Sequence, residues 1–326
     1  SGIASVMGAY SGGAYDTKRD RLIIWGGGHT DYSGNEIYVF DVESLSWSIE
    51  WGPTPNDQLP PPGPSYEAYL DDNPSSRHTY DGLVYLPDPY DGLLSIGGCP
   101  WQGGGQTIGT WLYSFSSKSW SRMSDPVETH LGISSAYDKV TGHIFFRALY
   151  ELHEYNPLTD SYTQHVIDPG RGGYWSDSIS ATIIPSRRIM LFLGNSAEYS
   201  GGKKDYGVYD IDSGNYTIPN FTGDIEIVTS IAPGVAYDSK NDRIVAYKGR
   251  REGSGNPDEK TTDMYVLNLD TWHWTKVAAN VNNVNDPGEI IGKGTYGRFA
   301  YIEKYDAFIV VNNVYSNVHF IKVPVQ

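Results

Sequence analysis

The sequence of 326 residues contains little cysteine, few positive charges and no long apolar run. Cys99 is the only cysteine, which excludes an internal disulfide and a multi-cysteine zinc site. No stretch approaches the roughly 18 consecutive apolar residues of a membrane helix, so we expect no membrane insertion. The net charge is −15, whereas nucleic-acid binding depends on a basic surface. We therefore predict no nucleic-acid partner, although a local basic pocket on an acidic protein can still bind an anionic glycan.

The abundant residues are those of turns and strands. The chain has 37 Gly, 26 Tyr, 19 Pro and 9 Trp but only 4 Met. Segments rich in Gly, Asn and Asp alternate with short runs of Val, Ile, Tyr and Trp, a pattern typical of many short strands. This pattern predicts an all-β protein, which we expect to form a single domain over residues 1–326.

A repeat of about fifty residues organises the chain. In the first copy, GAYD, RLIIWGGG, EIYVFD and SWSIEW are four apolar segments separated by turn residues, which predicts a four-stranded antiparallel meander. Similar segments recur, and the predicted first-strand anchors lie 47 to 71 residues apart. The six copies span residues 13–51, 82–121, 134–165, 180–219, 234–277 and 298–324. The anchors are Tyr15, Leu86, Tyr137, Ile184, Tyr237 and Ile302.

Two features of these copies resemble the kelch repeat. Gly-Gly follows the second strand in the first two copies, and an aromatic residue stands in the fourth strand of the first five copies. The resemblance implies a kelch-like β-propeller, for which we predict six blades. Seven blades remain an alternative because residues 51–76 are unassigned, but their many prolines favour a long surface loop. Since the sixth copy lacks a fourth strand, we predict that an extended segment at residues 1–7 closes the ring as an N-terminal strand.

Candidate site residues come from two classes of loop that must lie on one face of a propeller. Loops after second strands and loops before first strands emerge on the same side, because neighbouring strands alternate in direction. The segment Trp25-Gly-Gly-Gly-His29-Thr-Asp31-Tyr32 presents ionisable groups after glycines that allow close backbone approach. His29 could instead cap an ordinary turn, and the sequence favours neither interpretation.

Two further segments place basic residues at the start of predicted inner strands. Arg77 and His78 precede the second blade, where simple burial of two ionisable groups would be costly. The alternative is a salt bridge from Arg77 to Asp71 or Asp72. Arg298 enters the sixth blade in the same way, so we expect it to lie near His29.

The other predicted contacts are polar or aromatic residues of the same loop classes. Tyr174 and Trp175 follow two glycines, and their rings would suit stacking on sugar rings, although packing in the core is an alternative for either. The predicted substrate-binding residues are Arg77, Tyr80, Asn35, Trp101, Arg147, Tyr174, Trp175 and Tyr296.

The resemblance extends to secreted carbohydrate-active propellers, namely polysaccharide lyases of the ulvan-lyase kind and, more distantly, the central domain of galactose-oxidase-type enzymes. A lyase that eliminates across C4–C5 of a uronic acid must neutralise the carboxylate, remove the C5 proton and protonate the leaving oxygen. We predict His29, His78, Tyr32 and Arg298 as the catalytic residues. This hypothesis requires His29 and His78 to approach each other, with an arginine between them.

Two alternatives remain open. A non-catalytic, lectin-like or receptor-binding propeller would use a shallow aromatic groove without converging ionisable groups. A glycoside hydrolase would need two carboxylates, for which Asp31 and Asp177 are the candidates. The predicted partner is therefore a polysaccharide or other glycan, and the predicted location is extracellular or periplasmic. The sequence requires no cofactor, and the cofactor is left unassigned. A structural metal ion in the central channel remains an open alternative, although the sequence gives no ligand motif for it.

Overall fold

Six β-sheets surround one axis as the blades of a β-propeller, which confirms the predicted all-β, six-bladed fold. The computed structural model describes residues 2–103, 105–127, 132–148, 151–166, 178–194, 205–248, 263–277, 285–290 and 294–324. No helix in these ranges has the length and apolar character required to span a membrane.

Blades one and two flank a small two-stranded ribbon. Blade one comprises β1 (Gly13–Asp16), β2 (Arg21–Ile24), β3 (Ile37–Asp41) and β4 (Ser46–Trp51). The ribbon pairs β5 (Arg77–His78) with β8 (Cys99–Pro100). Blade two comprises β6 (Leu83–Leu86), β7 (Gly92–Ile96), β9 (Thr110–Ser114) and β10 (Ser119–Arg122). Each blade is a meander whose first strand lies nearest the axis.

The remaining blades follow the same plan, except that blade five has a fifth strand and no fourth strand is described for blade six. Blade three comprises β11 (Ser134–Asp138), β12 (His143–Ala148), β13 (Glu151–Asn156) and β14 (Ser161–Val166). Blade four comprises β15 (Ile179–Ile184), β16 (Ile189–Gly194), β17 (Gly207–Asp210) and β18 (Tyr216–Thr217). Blade five comprises β20 (Gly234–Asp238), β21 (Arg243–Lys248), β22 (Asp263–Asn268) and β23 (His273–Val277). An added short strand, β19 (Thr222–Gly223), pairs in parallel with β23 at its outer edge. Within the described residues, blade six comprises three strands, β24 (Phe299–Ile302), β25 (Ala307–Val310) and β26 (His319–Ile321).

A recurring tyrosine–aspartate pair shapes the turn between first and second strands. The hydroxyl of Tyr237 donates to Asp242 at 2.7 Å, and that of Tyr301 donates to Asp306 at 3.0 Å. Both aspartates have positive φ, which their short polar side chains tolerate better than most residues. The pair therefore stabilises a tight turn and fixes the direction of the second strand.

The ring is closed by inner strands and a short helix, so the predicted N-terminal strand is wrong. β24 contacts β1 directly, and Gly297 lies so close to Gly13 that a Cβ would be 2.1 Å from the Gly13 carbonyl oxygen. Residues Ser5–Gly8 form helix α1, whose Val6 and Met7 pack into an apolar cluster with side chains of blades one and six. Because α1 forms its own backbone hydrogen bonds, it does not extend a sheet, and blade six keeps three strands.

The Pro-rich segment 52–76 is a long loop, as predicted, and forms no seventh blade. It holds one 3₁₀ turn at Asn56–Gln58 and an isolated bridge between Ala68 and Pro74. Buried Asn35 anchors the loop, because its side-chain amide donates to Thr54 Oγ1 at 3.0 Å and to the Pro74 carbonyl at 2.9 Å. The loop thus ends where β5 begins, on the face from which the loops after second strands emerge.

Candidate functional site

A loop after β2 packs directly against the β5–β8 ribbon on what we call the upper face, the side of the propeller from which inner strands start. Gly28 has a φ of +70°, and a Cβ on it would lie 2.2 Å from Arg77 Cα and 2.6 Å from the Cys99 carbonyl oxygen. Its N–H donates to the Tyr32 carbonyl at 3.0 Å. The glycines therefore perform the turn function expected of them, and they also allow the loop to approach the ribbon.

This approach positions His29 against the ribbon. His29 itself has a φ of +44°, its N–H donates to the Cys99 carbonyl at 3.4 Å, and its carbonyl accepts from the Gln102 N–H at 2.5 Å. Opposite Cys99 in the ribbon register stands His78. The backbones that carry both histidines are thus hydrogen-bonded to the same ribbon strand.

The side chains of His29, Asp31 and His78 converge, and we call them the His–Asp–His cluster. The imidazole centroids of the two histidines lie 5.5 Å apart at an interplanar angle of 71°. His78 Nε2 lies 3.2 Å from Asp31 Oδ2. Each residue offers one possible ligand atom, and the three atoms all lie within 4.8 Å of one another. The predicted approach of His29 to His78 is therefore confirmed.

Three tyrosines border the cluster. Tyr10 stacks on His78 with centroids 5.2 Å apart, and Tyr80 meets His78 edge-on at 6.0 Å. Tyr296 contacts Tyr80 edge-on at 6.2 Å. Tyr80 and Tyr296 are buried, whereas Tyr10 and His29 are half-buried. A ligand approaching the upper face can therefore reach Tyr10 and His29.

Burial determines the charge of the inner histidine. Desolvation lowers the pKa of His78 to about 4, although hydrogen bonding to Asp31 acts in the opposite direction. At neutral pH His78 is therefore an uncharged imidazole with a lone pair available on one ring nitrogen.

The two arginines expected beside the histidines point elsewhere. Arg77 is fully buried, pairs with Glu67 Oε1 at 3.0 Å and donates to backbone carbonyls, including that of Gly97 at 3.3 Å. Arg298 is also fully buried and donates to the carbonyls of Asn312 at 2.8 Å, Val311 at 3.2 Å and Gly294. Burial lowers the pKa of Arg298 to about 10, so it remains charged at neutral pH.

The predicted arginine between the two histidines is therefore wrong for both Arg77 and Arg298. Their guanidinium groups are bound to acceptors that surround them rather than directed into the cluster. The expected salt bridge from Arg77 to Asp71 or Asp72 is replaced by the pair with Glu67. Both arginines hold loops of the upper face in place.

Two residues of the first loop also have supporting contacts. The hydroxyl of Tyr32 donates to Glu36 Oε1 at 2.7 Å, and burial raises the pKa of Tyr32. Asn35 is buried and held by Thr54 and Pro74, as described above. These contacts direct Tyr32 and Asn35 toward the protein rather than toward a ligand.

The more distant predicted contacts are spread over several blades. Trp101 is half-buried and meets Tyr69 edge-on at 6.0 Å, whereas Arg147 is buried over the ring of Phe192 and donates to the Asp205 carbonyl. Tyr174 and Trp175 lie outside the described residues, as does Asp177. The structure therefore brings Tyr80 and Tyr296 toward the cluster and leaves Arg147 in another blade.

Sequence reasoning missed Tyr10 and gave Asp31 only a hydrolytic role. Tyr10 precedes β1 and so belongs to the same loop class as His78. Asp31 follows His29 by two residues, and its contact with His78 depends on a chain separation of 47 residues. Neither contact has a local sequence signal.

A central cavity of about 750 Å³ is separate from the cluster. Inner-strand residues and turns of the lower face line it, and Asp81 and Tyr296 stand at its upper end. Tyr80 and Tyr296 pack together at this upper end of the cavity. The His–Asp–His cluster therefore lies beside the propeller axis, over blades one and two, rather than in an open funnel.

Comparison with known proteins adds no family assignment. No protein-family model matches the chain, and a search of curated proteins finds no match.

Proposed function

We propose that the upper face of this propeller is the active site of a secreted, kelch-like polysaccharide lyase that cleaves a uronic-acid-containing glycan by β-elimination. The observation that carries the proposal is the convergence of His29, Asp31 and His78 beside a solvent-accessible tyrosine. A purely lectin-like groove would not require converging ionisable groups. Extracellular or periplasmic location follows from this substrate class and is part of the proposal.

The proposed reaction needs only proton transfers and a stabilised carboxylate. A base removes the proton at C5, the electron pair forms the C4–C5 double bond, and the bond from C4 to the glycosidic oxygen breaks. The leaving oxygen then takes up a proton, so water is not consumed. Withdrawal of charge from the C5 carboxylate lowers the barrier to the first step.

Tyr10 is the best-placed group for proton transfer. Of the three tyrosines at the cluster it is the one that is only half-buried, and its stacking on His78 fixes its ring. A single phenolic group that removes the C5 proton can return it to the leaving oxygen on the same side of the sugar. In this arrangement Tyr10 transfers the proton, and the half-buried imidazole of His29 donates a hydrogen bond to the substrate carboxylate.

Glycan binding without cleavage is the second candidate. The half-buried rings of Tyr10 and Trp101 lie on loops of the same face, and such rings suit stacking on the apolar faces of sugars. Hydrolysis has weaker support, because Asp31 is bound to His78 and its proposed partner, Asp177, lies outside the described residues.

The proposal is tested by ultraviolet absorbance of unsaturated uronides, with purified protein added to a panel of uronic-acid polysaccharides. We expect a rise on one polymer and a loss of at least about a hundredfold in rate for Tyr10→Phe. The matched control is Tyr305→Phe, in the blade-six turn on the opposite face, which should retain the full rate. Absence of a rise on every polymer overturns cleavage, and retention on a glycan array would then establish binding alone.

A further inference from the structure

We propose that His29, Asp31 and His78 bind a divalent transition-metal ion of the Zn²⁺ class. Among the described residues they are the one group of three His, Cys, Asp or Glu side chains that offer one ligand atom each with all three atoms within 4.8 Å of one another. Metal binding goes beyond the lyase proposal and does not depend on it.

The distances within the cluster suit coordination. Two ligands bonded at about 2.1 Å to a tetrahedral ion lie about 3.4 Å apart. His78 Nε2 and Asp31 Oδ2 already lie 3.2 Å apart, and the His29 ligand atom lies within 4.8 Å of both. A small rotation of the half-buried His29 ring would complete a three-ligand site.

The donor types select the class of ion. Two imidazoles and one carboxylate suit Zn²⁺ and its first-row neighbours, whereas Ca²⁺ and Mg²⁺ prefer sites made of oxygen ligands. Three protein ligands also leave a coordination position open toward solvent, as in catalytic zinc sites.

The scaffold holds the ligands before any ion binds. His78 lies in the β5–β8 ribbon, and the His29 backbone is hydrogen-bonded to Cys99 of that ribbon and to Gln102, which follows it. The Asp31 N–H donates to the Gly28 carbonyl at 2.9 Å, and its carbonyl accepts from Gly2 at 3.1 Å. Stacking against Tyr10 orients the His78 ring. Such preorganisation reduces the ordering cost of binding.

A bound cation would also explain why no described arginine faces the histidines. It would supply the positive charge that an elimination requires near the substrate carboxylate, while Tyr10 transfers the proton. This role in catalysis rests on the proposed lyase function, whereas occupancy of the site does not.

Occupancy is measured without carbohydrate. Chelator-treated full-length protein is titrated with Zn²⁺ by calorimetry, and the Co²⁺-substituted protein is examined for the visible bands of a coordinated ion. We expect one Zn²⁺ per chain, a rise in melting temperature on binding, and at least about tenfold weaker affinity in both His29→Ala and Asp31→Asn. The Asp31 side chain is partly exposed, and asparagine has nearly the same size. We therefore expect Asp31→Asn to fold, so that a weaker Zn²⁺ affinity of this variant reports the loss of a ligand.

A second histidine–carboxylate group provides the matched control. His143 Nδ1 and His165 Nε2 contact the two oxygens of Glu154 on blade three, at 2.5 and 3.2 Å. His165→Ala should leave Zn²⁺ affinity unchanged. Equal Zn²⁺ affinity of the wild type, His29→Ala and Asp31→Asn would overturn the metal site. Absence of Zn²⁺ binding by the wild-type protein would do the same, and so would loss of Zn²⁺ binding in His165→Ala. Uronide formation that survives chelation would leave the lyase proposal intact while removing the metal from its mechanism.

Discussion

Gly28 lies against the backbone of Arg77 so closely that a Cβ at position 28 would be 2.2 Å from Arg77 Cα. This contact joins the loop that carries His29 and Asp31 to the ribbon that carries His78. The left-handed conformation of Gly28, with a φ of +70°, adds a second requirement for glycine. The geometry of the His–Asp–His cluster therefore depends on a residue without a side chain.

Gly28→Ala should destabilise the protein by at least about 2 kcal/mol, because alanine both resists the left-handed conformation and collides with the ribbon. Chemical denaturation measures the change in unfolding free energy. Gly52→Ala is the control, since a Cβ there meets no atom within 4 Å and its backbone needs no positive φ. Similar stability of Gly28→Ala and wild type would show that the close packing of loop and ribbon is not required.

Asp81 should make stability depend on pH in an unusual direction. Its buried carboxyl accepts from the Ala181 N–H at 2.8 Å, and burial raises the pKa of Asp81 well above its ordinary range near 4. The folded protein therefore binds this proton more tightly than the unfolded chain does. The contribution of this proton to the free energy of unfolding is fully present below about pH 4, and it is lost as the pH rises through the pKa that Asp81 has in the folded protein.

Asp81→Asn removes this titration. Unfolding free energies measured between pH 4 and pH 9 should show the wild type losing stability relative to Asp81→Asn as the pH rises. Asp57→Asn, an exposed position in the long loop, should follow the wild-type curve. Parallel curves for wild type and Asp81→Asn would contradict the assignment of a raised pKa to Asp81.

Arg298→Lys should reduce stability rather than act on the cluster. A lysine retains the charge but cannot make the same set of hydrogen bonds to the carbonyls of residues 294, 311 and 312, so we expect a loss of about 3 kcal/mol. Zn²⁺ affinity of the folded variant, measured by calorimetry, should stay within about threefold of wild type. A large loss of affinity without a change in stability would instead assign Arg298 to the site.

Much of the fold could be predicted because its determinants are local. Inner-strand anchors such as Tyr15 and Tyr237 recur along the chain at intervals of 47 to 71 residues, and this spacing indicates blades. Residues 1–7 gave no such signal, since four residues of helix are too few to show a period. What makes Ser5–Gly8 helical is the apolar space between blades one and six that receives Val6 and Met7.

The site was harder to predict because its contacts are distant in sequence. The prediction that His29 and His78 lie on one face of the propeller could be made from the sequence, because it needs only the direction of the strands that flank their loops. The partners of Arg77 and Arg298 depend on which carbonyls and carboxylates surround them after folding, which no spacing reveals. An arginine that enters an inner strand can therefore serve loop packing as readily as catalysis.

The most direct test of the central claim compares wild type with His29→Ala on the polysaccharide to which the wild type responds, by the rise in uronide absorbance. His273→Ala, at an exposed position on the opposite face of blade five, is the matched control. We predict a rate reduced by at least about a hundredfold in His29→Ala and an unchanged rate in His273→Ala. Equal rates in all three proteins would contradict the account, because the chemistry would then lie away from the His–Asp–His cluster.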